Sequence, residues 1–241
     1  MIVCDSCFKL NRLKLGRVKK KMDISTWPAR ADFPVAKPGF AYIIIAFLIT
    51  ALFFFAGLVV CGVVSSLVTL FMVWFFRDPD RNLPEDDTAV VSPADGRVLS
   101  VEQVSENQYI NEACVKVSIF MNIFNVHVNR MPFGGRIESQ DYFPGSFINA
   151  SFDKASEKNE RNALIIRSEK GHVYGVVQIA GLIARRIVSR VGKGDSIKTG
   201  ERYGMICFGS RLEVYLPQDI VLAVKPGEKV SAGSTIIGYL T

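Results

Sequence analysis

From Phe40 to Phe76 the chain runs for 37 residues without a charged side chain. That is well past the roughly 18 apolar residues that mark a membrane-spanning helix. The apolar part of a secretory signal would be about 7–15 residues long and would end at a small-residue cleavage site, so this stretch has another role. As one straight helix it would reach roughly 55 Å at about 1.5 Å per residue, against ~30 Å of bilayer hydrocarbon. Two short helices meeting near Gly57, Cys61 and Gly62 fit better, with a re-entrant segment or one strongly tilted span as alternatives. Tyr42 and Trp74 suit the interfacial ends of such an anchor.

After Arg77 the pattern changes. A polar connector, DPDRNLPEDD, leads into short β-branched runs broken by Gly, Pro and Asn, such as VKVSIFM, NALIIRS and HVYGVVQIA. These predict strands. One pattern occurs twice, V-x-x-G-[DE]-x-[IV]-x-x-G, at Val191–Gly200 and again at Val224–Gly233. Glycines six apart around an apolar position predict two tight turns flanking a short strand, with the glycines at positive φ. Each copy runs on into apolar strand material, YGMICF and TIIGYL. The pair predicts the two halves of a lipoyl-like barrel-sandwich. The expected architecture is therefore mainly β with an N-terminal hydrophobic helical membrane anchor: a basic arm over 1–39, the anchor over 40–76 and a β-rich body over 77–241.

Charge refines this picture. The net charge is +6 and the sequence pI near 9.1, values that raise nucleic acid as a partner. Up to Lys37, however, there are nine basic residues against three acidic ones, and the remaining 20 basic and 20 acidic residues cancel. A neutral body argues against a nucleic-acid footprint. The arm KLNRLKLGRVKKK instead places the N-terminus in the cytoplasm by the positive-inside rule, and with two spans the body returns to the same side. Its cations also suit anionic headgroups, at about 1 kcal/mol each. The five cysteines are odd in number and scattered, which favours a reducing compartment over a disulfide framework. Cys4 and Cys7 read as free thiols of the arm, with a metal half-site as the alternative.

A barrel-sandwich raises a carrier-domain reading, which needs a modifiable Lys at a hairpin tip. The corresponding tip here is Phe208-Gly209-Ser210-Arg211, and Lys193 and Lys225 read as solvated turn residues. Three segments carry candidate chemistry: Val91–Gly96 (VSPADG), Phe120–Pro132 (FMNIFNVHVNRMP) and Phe208–Arg211 (FGSR). In the second, Phe124, Val126 and Val128 alternate with Asn125, His127 and Asn129, which predicts a strand with His127 on its polar face. Singly, each segment also reads as a plain turn or surface strand.

Taken in order, the basic-tailed anchor, PADG, FxxFNVHVNRMP, the YFPGSF loop and the terminal FGSR resemble the short prokaryotic (type A) class of phosphatidylserine decarboxylase proenzymes. The resemblance covers roughly Phe33 to Thr241. It implies self-cleavage between Gly209 and Ser210, leaving chains 1–209 and 210–241 together as a heterodimer, alone or in a higher oligomer. It implies that Ser210 becomes a pyruvoyl group, the only cofactor, with neither metal nor pyridoxal phosphate. That group would form a Schiff base with phosphatidylserine and release CO2, giving phosphatidylethanolamine at the cytoplasmic face of the cell membrane. A pyruvoyl imine is an electron sink of the pyridoxal kind. His127, with an ordinary pKa of about 6.5, is the implied acid or base, and Asp95 the implied support for self-cleavage.

One position departs from the pattern. Long-type members carry H-x-x-H before Met-Pro, the second His working with the Asp of the PxDG turn. Here that second position is Arg130, so either His127 serves both steps or self-cleavage uses another base. Tyr142, Phe143 and Phe147 match an apolar loop beside the family's pocket, with a packed β-turn as the alternative. Arg185 and Arg186 read as solvated strand charges or as partners of a lipid phosphate. Two other functions stay open at this point: a non-enzymatic membrane-tethered adaptor, and a decarboxylase of a related serine-headgroup lipid such as archaetidylserine.

Overall fold

In a computed structural model, the structure describes residues 34–240 apart from 106, 111, 152–154, 183–185 and 208. The basic arm with Cys4 and Cys7, and also Arg185, lie outside the described residues.

Two apolar helices come first, α1 (Phe40–Phe55) and α2 (Val59–Phe75), joined through Gly57 at φ +72°. The segment Lys37–Phe55, 19 residues of mean hydropathy 2.3, is long and apolar enough to cross a membrane. Most of both helices is exposed. Their contact is small and polar at its centre, where the Thr50 hydroxyl lies 2.7 Å from that of Ser65 and 3.1 Å from that of Thr69. At Gly62 a Cβ would stand 2.8 Å from the Phe54 ring, so glycine is what lets the helices close.

The body is mainly β and its large sheet curls into a half-barrel. It is built as two matching halves. The first half contains β1 (Ala89–Val91), β2 (Gly96–Val104) and β3 (Cys114–Met121). After a long excursion it is completed by β11 (Ser210–Pro217), β12 (Val221–Leu222), β13 (Lys229–Val230) and β14 (Ile236–Tyr239). The excursion is the second half, β4 (Val128–Arg130), β5 (Gly135–Phe143), β6 (Arg161–Arg167), β7 (Val173–Ala180), β8 (Ile187–Ser189), β9 (Ser196–Ile197) and β10 (Arg202–Ile206). The main sheet runs β13-β2-β3-β11-β7-β6-β5-β9, with small sheets β1-β14-β12 and β4-β10-β8. Each order maps onto the other when the halves are exchanged.

The duplicated glycine pattern generates this symmetry. Gly194, Gly200, Gly227 and Gly233 all have positive φ, between 71° and 97°, as the sequence predicts for turns that a side chain would strain. The bonds they make are duplicated too: Gly194 N–H donates to Ile137 O and Gly227 N–H to Val98 O, both at 2.8 Å. Inside the half-barrel, Val98, Ile119, Leu212 and Val214 of one half meet Ile137, Leu164, Ile166 and Val176 of the other in one core. Each such side chain contributes about 1.5–3 kcal/mol on burial.

The connector after α2 is a strap rather than a solvated linker. Asp78 is buried, takes the Arg202 guanidinium at 2.8 Å and lies 3.6 Å from that of Arg130, while Asp80 takes the Arg202 guanidinium at 3.0 Å. Arg81 holds Asp95 at 2.7 Å. Both strong partners of Asp78 come from the second half, so these ion pairs fix the base of the hairpin against the body.

Candidate active site

The chain passes between the halves twice, through residues 122–127 and 207–209, and the two crossings touch. Gly209 N–H donates to His127 Nε2 at 3.3 Å. In the first crossing Asn122 and Asn125 fold the backbone into a turn: Phe124 N–H donates to Asn122 Oδ1 at 2.8 Å and Asn122 N–H to Asn125 Oδ1 at 2.9 Å. Asn side chains compete in this way with strand ladders. The predicted strand therefore begins only at Val128, and the alternation is lost, because Val126 and Val128 are buried together with the polar residues between and after them. Phe124 is 62% exposed, whereas His127 and Asn129 are completely buried.

Burial sets the state of His127. It holds the imidazole pKa down to about 4, with the Asn125 carbonyl opposing and the positive charge of Arg77 reinforcing the shift. The ring is neutral at pH 7. Since Nδ1 lies 2.9 Å from the Asn125 carbonyl, that nitrogen carries the hydrogen, and Nε2 keeps a lone pair towards Gly209. Phe75 completes the enclosure, its ring 4.3 Å from the imidazole. Arg77 ties the same loop to the hairpin, donating to Trp74 O at 2.9 Å and Phe124 O at 2.8 Å.

Ser210 opens β11, pairs with Met121 and Ala180 on either side, and is fully buried. Among the described residues its hydroxyl finds only a soft acceptor, Met121 Sδ at 3.4 Å, rather than a strong hydrogen bond. Gly209 sits at φ +66° with nothing within 4 Å of where a Cβ would be, and its carbonyl oxygen packs so closely on Gly181 that a Cβ there would collide with it. Beside Ser210, on the same face of the sheet, runs a row of buried amides. Asn162 donates to Gln178 at 3.0 Å and Gln178 to Asn129 at 2.9 Å, and Asn129 reaches Met121 Sδ at 3.7 Å. Burial raises the Cys207 thiol to about 11 despite Arg186 nearby, leaving it inert as a nucleophile.

The predicted site residues divide. Gly209, Ser210 and His127 come together. Asp95 leaves the sheet at the same end but two strands over, roughly 10 Å away by strand spacing, where its Oδ1 accepts from Ala232 N–H at 2.8 Å and Arg81 pairs with it. Arg130 turns to the strap, donating to Gly200 O at 3.0 Å and Pro79 O at 2.9 Å. Phe147 packs with Ala180, the neighbour of Ser210. Tyr142 and Phe143 lie three strands from β11, Phe143 under the Arg161 guanidinium at 4.5 Å. Arg186 is exposed. His172 lines a cavity with Glu112 and Arg167, away from this site. Met121 and Asn129 lie within the Phe120–Pro132 segment, whereas Phe75, Arg77, Gly181, Asn162 and Gln178 carry no local motif. Only the short separation of Phe75 and Arg77 from the connector hinted at them.

The arrangement, a hydroxyl and a glycine carbonyl beside a neutral imidazole whose Nε2 accepts from the neighbouring Gly209 N–H, is suited to acyl transfer within the backbone. The family model for phosphatidylserine decarboxylase matches residues 68–238. Similar relatives named phosphatidylserine decarboxylase proenzyme include that of Syntrophus aciditrophicus, 48% identical over 209 residues, 86% of this chain and 98% of the relative. Those of Geotalea uraniireducens and Cupriavidus metallidurans are 45% and 44% identical over 207 residues, 86% of this chain in each case and 97% and 95% of the relatives. The chain thus belongs to the phosphatidylserine decarboxylase family.

Proposed function

We propose that this chain cuts itself between Gly209 and Ser210 and then decarboxylates phosphatidylserine to phosphatidylethanolamine. The observation that carries the reading is the approach of the His127 Nε2 lone pair to the Gly209–Ser210 backbone, with Gly209 N–H at 3.3 Å.

In the first step the Ser210 hydroxyl gives its proton to a base, which His127 is placed to be, and Oγ bonds to the Gly209 carbonyl carbon. The C–N bond of the peptide breaks, the Ser210 nitrogen takes the proton, and an ester remains. Loss of the Ser210 α-proton then expels the Gly209 carboxylate. The dehydroalanine left behind isomerises, takes up water and releases ammonia, leaving a pyruvoyl group at residue 210. Once formed, that group supplies a carbonyl that captures the substrate amine and accepts the electron pair of the broken C–C bond. The site fits it: the position is buried, the serine side chain is not tightly held, and Gly209 can swing away without a Cβ to obstruct it. The carbon that has lost CO2 needs a proton, which His127 takes up from solvent and hands on. The imidazole is neutral at the start of both steps and relays a proton in each, from the Ser210 hydroxyl to the Ser210 nitrogen in the first and from solvent to carbon in the second.

The apolar hairpin anchors the body to the membrane that contains the lipid, and the basic arm orients the body to the cytoplasmic face. Intact-mass measurement tests the reading. Two chains, 1–209 and 210–241, the second beginning with a pyruvoyl group, are expected, together with CO2 release from phosphatidylserine. Ser210→Ala should stay whole. A wild-type chain that remains at 26.7 kDa would overturn the proposal.

A further inference from the structure

Outside the hairpin, five large apolar side chains of the described body are exposed: Leu83, Phe124, Leu182, Val221 and Leu222. The two most exposed, Phe124 and Leu182 at 62% each, stand on the two loops that bound Gly209–Ser210. Phe124 lies three residues before His127 in the first crossing. Leu182 follows Gly181, whose backbone packs on the Gly209 carbonyl. Exposed apolar side chains on two loops that flank one backbone segment mark a surface that meets something apolar.

Continuity with the hairpin identifies the occupant. The Phe124 ring packs edge-on to Trp74 at 6.0 Å, and Trp74, in the last turn of α2, is itself exposed. From there the apolar surface continues along the helices through Leu70, Leu67 and Leu52, each more than 60% exposed. Arg77 stands at the boundary, its guanidinium 3.9 Å from the Trp74 ring centroid. A Trp with a cation beside it, at the end of an apolar helix, is the arrangement of a headgroup layer. A protein partner would need a broad complementary patch of about 800 Å², whereas these are separate protruding side chains.

We propose that Phe124 and Leu182 insert into the same leaflet as the hairpin, so that the Gly209–Ser210 segment lies against the headgroups and meets its lipid without that lipid leaving the bilayer. The inference rests on the lipid-decarboxylase reading. Both side chains protrude from loops, so their replacement leaves the core intact.

The experiment compares CO2 release from phosphatidylserine in phosphatidylcholine vesicles with release from a short-chain phosphatidylserine dispersed as monomers. For Phe124→Asp and Leu182→Asp, turnover on vesicles is expected to fall roughly tenfold more than turnover on the monomeric lipid, the effect of a charge at an interfacial position. Phe124→Trp, which keeps an interfacial aromatic, should retain vesicle turnover. Equal losses on both lipids, or no loss with either Asp variant, would overturn the insertion while the function stands. If the wild-type protein decarboxylates neither lipid, the functional reading itself fails.

Discussion

The Phe75 ring lies 4.3 Å from the His127 ring, inclined by 37°. The last turn of the apolar hairpin is therefore one wall around the imidazole and contributes to the burial that keeps it neutral. The hairpin and the state of His127 are coupled through this contact.

Phe75→Ala should raise the His127 pKa from about 4 towards its ordinary value. His127 must be neutral to accept a proton, so the acid limb of the pH profile of self-cleavage should move up by roughly one unit. Phe75→Leu should move it less. Cleavage followed by gel at a series of pH values reads the limb. An unchanged limb with both variants would remove Phe75 from the electrostatics of the site.

The same depressed pKa makes folding pH-dependent. Unfolded, His127 binds its proton near pH 6.5; folded, only near 4. The unfolded state holds more protons between these values, so His127's contribution is complete above pH 6.5 and is lost as the pH falls to 4. The loss amounts to about 3 kcal/mol. Denaturant unfolding of the uncut Ser210→Ala chain in detergent, with and without His127→Gln, should show a difference of that order between pH 7 and pH 4.

Gly181→Ala needs no unusual backbone angle, yet its methyl would meet the Gly209 carbonyl oxygen. Displacing the carbonyl that Ser210 must attack should slow self-cleavage roughly a hundredfold, the cost of a misplacement near 1 Å. The time course of appearance of the 1–209 chain measures it. Cleavage at the wild-type rate would show that the close approach has no part in the reaction.

Gln178→Leu should act mainly on stability. It strands the Asn129 oxygen and the Asn162 amide in the interior. At about 1–3 kcal/mol for each of the two unsatisfied groups, a loss of about 2–6 kcal/mol in unfolding free energy is expected, read from denaturant unfolding. Met at this position should be no better, since it too lacks the hydrogen bonds.

The features legible in the sequence were those fixed by nearby residues. The glycine pattern at 191–200 and 224–233 specifies its turns through backbone angles, so its geometry followed directly. The run 124–129 misled because two asparagines outcompete strand pairing, and that competition is invisible to a simple alternation of apolar and polar positions. Asp78, Asp80 and Arg81 read only as part of a polar connector; their partners Arg202 and Asp95 are remote in sequence and meet them only once the sheets are assembled. Gly181 faces Gly209 only through the register of β7 with β11. Asp95 was placed by motif alone, and the fold holds it to Arg81 two strands from Ser210.

On the proposed function, the cut falls where the chain returns from its inserted half, at the first residue of a strand bonded on both sides, to β3 and to β7. The ladders from Arg211 onward are untouched, but the connectivity is lost. Before cleavage, refolding is unimolecular, because β11 to β14 are tethered to their sites. Afterwards a free segment of 32 residues must find its slot by diffusion, so refolding becomes second order and the unfolding midpoint depends on protein concentration. Maturation thus changes the molecularity of folding while leaving the fold in place, and a molecule that loses its short chain in dilute conditions loses its reactive residue with it.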